Sequence, residues 1–416
     1  MHPAGQQSGS SDRPTETLLA DTPPQADLSH VTQTRALVSS YVGMLGIAVA
    51  VNTPPMCLTA LTDTFLLTDT QRGVLLGALF WGFVAAIVCT GPLGDRFGYK
   101  PFLVLASCLQ ISGLVLSATA QSYPALVTGA AVLGVGCGVL EVLVSPLVCV
   151  LRPHARTRAM NLCHGFYSVG AIGTLALSMH LLRLHVSWRL IYLVMTAPVF
   201  LYGLGFLTCR LPRPERQNTN LASVLPWNER VFWRMLLAML FLAGAEIGPH
   251  QWMSAYLEEV FRFARETAGS GLVLFAIMMA LGRFAMGSLP AKYVPLRVLL
   301  LNCVGSAVCI ALAGTTHSRV VAVASFACLG WFVSAFWPTV LAHCADRIPN
   351  GGITMFGALS AVGNSGGIVF PTMVGWLADH RDLRSGMLSL AAVPLAAGVV
   401  FVWELWETRG GGNPAT

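Results

Sequence analysis

Residues 124–151 read PALVTGAAVLGVGCGVLEVLVSPLVCVL, an apolar run in which the only charged side chain is Glu141. A helix needs roughly 20 apolar residues to cross the hydrocarbon core of a bilayer, so this stretch is long enough to span a membrane. Similar runs recur along the whole chain, which is 55% hydrophobic and only 11% charged. A soluble domain is typically about 25% charged. The composition therefore indicates a polytopic membrane protein and not a soluble enzyme.

Twelve apolar stretches are long enough to serve as membrane spans. Residues 1–34 contain no such run and are rich in Ser, Thr, Pro, Gln and Asp, which predicts a disordered cytoplasmic tail and not a signal peptide. We therefore predict an all-α membrane protein with twelve transmembrane helices. The predicted spans are residues 36–61, 73–92, 101–120, 124–151, 160–182, 187–209, 231–256, 267–289, 296–314, 319–342, 353–377 and 386–406.

The basic residues favour one topology. If both termini are cytoplasmic, Lys and Arg concentrate on that side, and the segment between spans 6 and 7 alone carries Arg210, Arg213, Arg216 and Arg230. This bias is the positive-inside signal of membrane proteins. It accounts for the net charge of +6 without a nucleic-acid partner. It predicts a multi-pass protein of the plasma membrane, or of the cell inner membrane in a bacterium.

The two halves of the chain resemble each other. Gly170-Ala-Ile in span 5 matches Gly366-Gly-Ile in span 11, and the segment from Gly91 matches the segment from Gly287, both at an offset of 196 residues. Gly138 and Gly330 each precede a proline by eight residues, an offset of 192. Such repeats are typical of transporters whose substrate site lies at the midplane between two halves. The predicted units are a six-helix bundle at 35–209, a cytoplasmic linker at 210–230, a six-helix bundle at 231–408 and a cytoplasmic tail at 409–416.

The loop after span 2 carries the most specific local motif, GPLGDRFGYK at residues 91–100. It resembles the loop 2–3 signature of the major facilitator superfamily, G-x-L-x-D-R-x-G-x-K. Glycines permit a tight reversal at the membrane surface, and Asp95 can dock on a helix N-terminus. The resemblance implies docking on span 11 in the outward-facing state; the second copy has Ala291 in place of the acid. The predicted gating residues are Gly91, Asp95, Arg96, Gly98, Lys100 and Arg152.

Glu141 lies in the middle of span 4. A carboxylate costs several kcal/mol at that depth, so its side chain should face a cavity and accept a proton. A group that is protonated from one side and deprotonated from the other is what proton coupling requires. The alternative is a neutral carboxyl that bonds to a neighbouring helix.

Several stretches resemble the fucose/glucose/galactose:proton symporter branch of the superfamily. The resemblance implies that Glu141 is the protonation and substrate site and that His164 occupies a sugar-contacting position. In that branch span 1 supplies a second acid, whereas the nearest polar residue here is Asn52, and Ser145 replaces an asparagine before the proline of span 4. The stretches are Glu141–Pro146, Asn161–Ala171, Gly244–Gly248, Leu281–Phe284, Ser334–Thr339 and Gly366–Asp379.

Other polar residues inside spans are further candidates. Glu246 and His250 are one turn apart on span 7, and Pro249 between them predicts a break that frees carbonyls toward a cavity. They form either a gate or substrate contact, or a constant hydrogen bond at a kink. Arg283 is expected to snorkel or to pair with Asp346. Trp252, Trp331 and Trp337 either stack on a sugar or anchor the protein at the membrane interface. The predicted substrate-binding residues are Asn52, Glu141, Asn161, His164, Glu246, His250, Trp337 and Asn364.

These features predict a transporter without enzymatic activity. None of the eleven cysteines forms a CxxC pair, and the sequence contains no P-loop, HExxH or GxSxG motif, so no cofactor or metal is expected. We predict a monomer in the lipid bilayer that moves a small polar solute, a sugar, by proton symport with alternating access.

Two alternatives remain open. One is a proton-coupled drug or metabolite efflux antiporter, although Gly165–Gly173 lacks the proline of the antiporter pattern in span 5. The other is a non-transporting sugar sensor with the transporter fold. The loss of the acid in the second loop copy keeps this second alternative open.

Overall fold

The computed structural model describes residues 30–152, 156–211, 226–288, 295–348 and 352–410, and within them the chain forms helices joined by short turns. Within these ranges nine helices are long and apolar enough to cross a membrane, and two shorter apolar helices occupy Ser270–Arg283 and Arg319–Val333. The predicted fold class, twelve transmembrane helices in two pseudo-symmetric six-helix halves, is confirmed. Residues 1–29 and 411–416, and most of the predicted linker 210–230, lie outside the described residues.

Each predicted span coincides with one helix or with two consecutive helices. Spans 6, 10 and 12 each consist of two helices, and a short helix, Arg265–Ala268, precedes span 8. The bounds of spans 1 to 6 are His30–Phe65, Asp69–Phe97, Tyr99–Thr119, Tyr123–Leu151, Arg156–Arg183, and Trp188–Val194 with Thr196–Thr208. Those of spans 7 to 12 are Arg230–Phe261, Ser270–Ser288, Pro295–Thr315, Arg319–Val333 with Phe336–Arg347, Gly352–His380, and Leu383–Ser389 with Ala392–Gly410.

A close helix contact recurs in both halves. A Cβ atom on Gly134 would meet the carbonyl oxygen of Leu79, so spans 2 and 4 touch backbone to backbone. A Cβ atom on Gly330 would meet the carbonyl oxygen of Phe275 in the same way, between spans 8 and 10. Small residues allow helices to approach this closely in a membrane. Gly330 therefore corresponds to Gly134 and not to Gly138, which corrects the sequence alignment and brings its offset to 196 residues.

The same offset relates a second pair of contacts. Gly170 of span 5 packs on Ala48 of span 1, and Gly366 of span 11 packs on Gly244 of span 7. In each half, the glycine lets the fifth helix approach the first helix. The repeat seen in the sequence therefore reflects equivalent backbone contacts.

A buried cluster of charges joins spans 7, 10 and 12. Arg234 Nε lies 2.5 Å from Glu404 Oε2, and its Nη1 lies 2.7 Å from Glu407 Oε2. His343 Nε2 approaches the other oxygen of Glu404 at 3.5 Å. Glu404 is only 1% exposed, so its charge depends on these partners. The sequence does not reveal this cluster, because its members are far apart along the chain and lie near span ends.

We expect Glu404→Leu to destabilise the protein strongly. Removing one partner of a buried ion pair typically costs about 3–5 kcal/mol, and here it leaves the buried Arg234 with only the partly exposed Glu407 as its carboxylate partner. Thermal unfolding of the purified protein in detergent measures the change. Glu407→Gln is the control, because this side chain is 31% exposed and its loss should cost less. If both substitutions lower the unfolding temperature equally, burial of the Glu404 carboxylate is not what makes its ion pair important.

Candidate functional site

A buried polar pair links the two halves about midway along spans 1 and 7. The side-chain nitrogen of Asn52 donates to the carbonyl oxygen of Ala48 at 2.7 Å. The side-chain oxygen of Asn52 lies 3.0 Å from His250 Nε2. Because that oxygen can only accept, His250 must donate through Nε2. Asn52 and His250 therefore form a direct, buried hydrogen bond between the halves.

One turn before His250, Glu246 faces Arg283 of span 8. Arg283 Nη2 lies 3.9 Å from Glu246 Oε1, and Arg283 Nη1 donates to the hydroxyl of Ser168 of span 5 at 3.3 Å. Arg283 is therefore directed at the interface between the halves. The side chain of Asp346 lies outside the described residues, so the predicted pairing with it stays a prediction. Lipid cannot solvate a guanidinium at this depth, so it takes the nearest carboxylate and hydroxyl.

Further side chains complete this site. Trp337 of span 10 lies beside the carboxylate of Glu246, and Tyr167 of span 5 is close to both Asn52 and Glu246. Spans 1, 5, 7, 8 and 10 therefore converge on one polar region between apolar walls. We call it the central cluster: Asn52, Tyr167, Ser168, Glu246, His250, Arg283 and Trp337. Sequence analysis missed Tyr167 and Ser168, although both lie in the span-5 stretch that resembles the sugar symporters.

The remaining predicted site residues have different surroundings. Glu141 is half-buried on span 4 and has no hydrogen bond or ion pair with the described residues, but it is close enough to Tyr167 to interact electrostatically. His164 is half-buried on span 5. Asn364 donates to the carbonyl oxygen of Ser360 on its own helix at 2.9 Å. The side chain of Asn161 lies outside the described residues.

Two expectations about backbone and packing are wrong. Span 7 is one continuous helix through Pro249, although a proline gives the carbonyl four residues earlier no N–H partner. The break occurs in span 10, between Val333 and Phe336, next to Trp337. Trp252 is completely buried and donates to the carbonyl oxygen of Pro371 at 3.0 Å. It is therefore part of the packing between spans 7 and 11, and it neither anchors the interface nor faces a solute.

Ion pairs connect the halves at the face that carries loops 1–2, 7–8 and 11–12. Arg265, just before span 8, lies 2.6 Å from Asp63 of span 1 and 3.2 Å from Glu258 of span 7. The hydroxyl of Thr59 of span 1 donates to Glu258 at 2.6 Å. Arg265 therefore holds the ends of spans 1 and 7 together.

A second set of contacts lies beside the first. Arg72 of span 2 is 2.6 Å from Glu259 of span 7. The carboxylate of Asp379, at the end of span 11, accepts the backbone N–H groups of Asp69 and Thr70 at 2.8 Å each. A carboxylate is stabilised at a helix N-terminus by the helix dipole. We call the two sets the ionic latch: Thr59, Asp63, Asp69, Thr70, Arg72, Glu258, Glu259, Arg265 and Asp379.

The predicted gating motif lies at the opposite face and is only partly described. Gly98 has φ 83° and ψ 173°, a backbone conformation that favours glycine. Lys100 is half-buried and Arg152 is exposed. The side chains of the segment from Gly91 to Phe97 lie outside the described residues, so the docking of Asp95 on span 11 stays a prediction.

Relatives of known type share most of the chain's length. A probable nitrate/nitrite transporter of Mycobacterium tuberculosis is 27% identical over 342 residues, which cover 78% of this chain and 83% of that protein. The L-fucose-proton symporter of Escherichia coli is 24% identical over 416 residues, which cover 88% of this chain and 91% of that protein. Both similarities extend across the two halves.

Solved structures share the fold. A bacterial homologue of the human lysosomal transporter Spinster, in an inward-facing and occupied conformation, has a TM-score of 0.74 at 16% identity, covering 93% of this chain and 100% of that chain. The D-xylose-proton symporter has a TM-score of 0.72 at 15% identity, covering 90% and 96%.

The family model of the Major Facilitator Superfamily matches residues 38–353 and 265–414, which together reach from within span 1 to beyond span 12. This match agrees with the two six-helix halves and with the polar site between them. The chain belongs to the Major Facilitator Superfamily.

Proposed function

We propose that the chain is a secondary active transporter that moves a small polar solute, a sugar, by proton symport with alternating access. The observation that carries the proposal is the central cluster, in which ionisable and hydrogen-bonding side chains from five spans meet between the halves. Trp337 supplies an aromatic surface there, and hydroxyl-bearing solutes match the available donors and acceptors. The similarity to an L-fucose-proton symporter supports the solute class.

The ionic latch gives the proposal its conformational element. With both termini in the cytoplasm, as the basic residues favour, loops 1–2, 7–8 and 11–12 lie outside. The latch then closes the outer face, and the molecule is inward-facing. Opening to the outside requires Arg265 to leave Asp63 and Arg72 to leave Glu259, the partners in the opposite half. We also propose that the protein acts as a monomer in the plasma membrane.

Glu141 is the proposed coupling residue. It is half-buried at mid-span, and no cation among the described residues neutralises it, so a proton can do so. The driving force is ample, because each charge that moves through 100 mV contributes about 2.3 kcal/mol.

We expect Glu141→Gln to abolish proton-driven accumulation while exchange of preloaded solute continues, because the amide cannot carry a proton across. Uptake and counterflow in proteoliposomes measure the two activities. Glu229→Gln is the control, since Glu229 is exposed just before span 7. If the Glu141→Gln protein still accumulates solute, Glu141 is not the coupling residue.

We expect Arg265→Gln to open the outer face. Partly exposed ion pairs contribute about 0.2–1 kcal/mol, which corresponds to an increase of up to about fivefold in the open population. The probe is Met56→Cys in a background whose native cysteines are replaced, because Met56 packs against Gly269 between the halves. This thiol should react faster with a membrane-impermeant reagent added outside. Arg262→Gln is the matched control, because that side chain is exposed and makes no ion pair with the described residues. Equal labelling in both variants would exclude Arg265 from the latch.

A second candidate function, transport of a small anion, is favoured by Arg283. Its guanidinium lies inside the central cluster at 3.9 Å from Glu246, too far for a direct hydrogen bond, so it can accept another anionic partner. The similarity to a probable nitrate/nitrite transporter points the same way. Thermal shifts with a panel of monosaccharides and with nitrate and nitrite distinguish the two solute classes.

One experiment tests the proposal against efflux and sensing. Purified protein in proteoliposomes receives a pH gradient, and the flux of each solute that gave a thermal shift is followed. A symporter accumulates solute in the direction of proton flow, whereas an antiporter expels it against that flow. A sensor binds solute without any flux, which would overturn the proposal.

A further inference from the structure

We propose that Glu246 is a second proton-binding carboxyl, and that its protonation controls the contact that Arg283 makes between the two halves. This inference rests on the proposed function and deepens it. In this inference Arg283 binds the solute and Glu246 binds the proton, and both residues belong to one site.

The first support is the incomplete pairing of Glu246. Its Oε1 lies 3.9 Å from Arg283, and the indole of Trp337 lies beside the carboxylate, but its Oε2 is buried and has no hydrogen-bond partner among the described residues. A buried carboxylate oxygen without a donor is unfavourable, and protonation turns that oxygen into a neutral hydroxyl. Relative to the described residues, Glu246 Oε2 is therefore a free proton acceptor, whereas a permanent ion pair would need a second donor at this oxygen.

The same molecule provides a contrast. Arg234 meets Glu404 at 2.5 Å and Glu407 at 2.7 Å, the geometry of permanent charge-assisted hydrogen bonds. Those residues join helices within one half. The wider separation of Glu246 and Arg283 occurs where the two halves meet. We therefore assign a structural role to the pairs of Arg234, and a role with exchange of partners to the pair of Glu246 and Arg283.

The second support is the link to the opposite half. Arg283 belongs to span 8, and its other terminal nitrogen donates to Ser168 of span 5 at 3.3 Å. A change in the charge of Glu246 alters the force on the guanidinium, and the guanidinium touches the other half. Protonation can therefore bias the relative position of the halves, as a ligand biases a two-state equilibrium.

The surroundings contain few competing charges. The charged or titratable groups near Glu246 among the described residues are Arg283 on span 8, Tyr167 on span 5 and His250 on its own helix. Glu141 on span 4 is a neighbour of Tyr167, while Trp337 and Asn52 are polar but do not titrate. His250 is held by Asn52. At this interface span 1 contributes the amide of Asn52, and span 7 contributes the carboxyl group of Glu246.

The coupling step follows from charge balance. A proton from the open cavity binds Oε2, and Glu246 becomes a neutral acid. Arg283 then lacks a counter-charge in a region where an unpaired charge is costly, so an acceptor oxygen of the solute takes that place. When the proton leaves, the carboxylate regains Arg283 and the solute is released. Proton and solute therefore bind together, which is symport.

The test needs no solute. Infrared difference spectra between acidic and alkaline pH, recorded on the protein in lipid, report the carbonyl band of protonated carboxyl groups. We expect Glu246→Gln to lose one such band. Glu407→Gln, the matched change at the permanent pair, should keep it. If the band persists in Glu246→Gln, or is lost only in Glu141→Gln, the inference is wrong.

A second measurement tests the link to the halves. The rate of labelling of Met56→Cys should depend on pH when Glu246 is intact. The additional substitution Glu246→Gln should remove that pH dependence. Ser168→Ala should retain the infrared band but reduce the pH dependence of labelling, because the proton still binds but the contact is lost. Unchanged pH dependence in both variants would overturn the inference. Neither readout requires transport, so failure of the proposed function remains distinguishable.

Discussion

The bilayer core solvates neither charges nor free backbone groups, and this constraint accounts for most of the structure. Backbone groups are satisfied within helices. Two groups of charged side chains within the described spans show the effect of this constraint: one is paired inside one half, and the other lies at the interface between the halves. Arg234 and Glu404 belong to the first group, and Glu246 and Arg283 belong to the second. The position of each charge therefore indicates whether it supports the fold or the transport cycle.

The interface between the halves combines three kinds of contact. Glycines bring helices into backbone contact, as at Gly73 of span 2 against Pro371 of span 11. The Asn52–His250 hydrogen bond closes the middle, and the ionic latch closes one face. Ion pairs at the surface are weak and exchangeable, which suits contacts that must break in each cycle. A continuous apolar seal would be stronger, but it would resist opening.

The pseudo-symmetry of the halves extends to the backbone but not to the polar chemistry. Gly134 with Leu79 and Gly330 with Phe275 are equivalent contacts, because helix packing constrains both halves alike. The ionisable groups differ, since Glu141 lies on span 4 whereas Glu246 and Arg283 lie on spans 7 and 8. Helix packing therefore preserves the repeated backbone contacts, whereas the two halves contribute different ionisable side chains.

The sequence by itself determined the membrane fold, the twelve spans and most of the polar candidates, because apolar length and isolated charges within spans are local properties. It did not determine which charges meet. Arg283 was expected to snorkel or to pair with Asp346, and nothing in the sequence pointed to the contacts with Glu246 and Ser168 that the structure shows. The cluster of Arg234 with Glu404 and the latch at Arg265 join residues about 170 and 200 positions apart. Only the tertiary structure decided these partners, because helix rotation and the approach of the two halves depend on packing across the whole molecule.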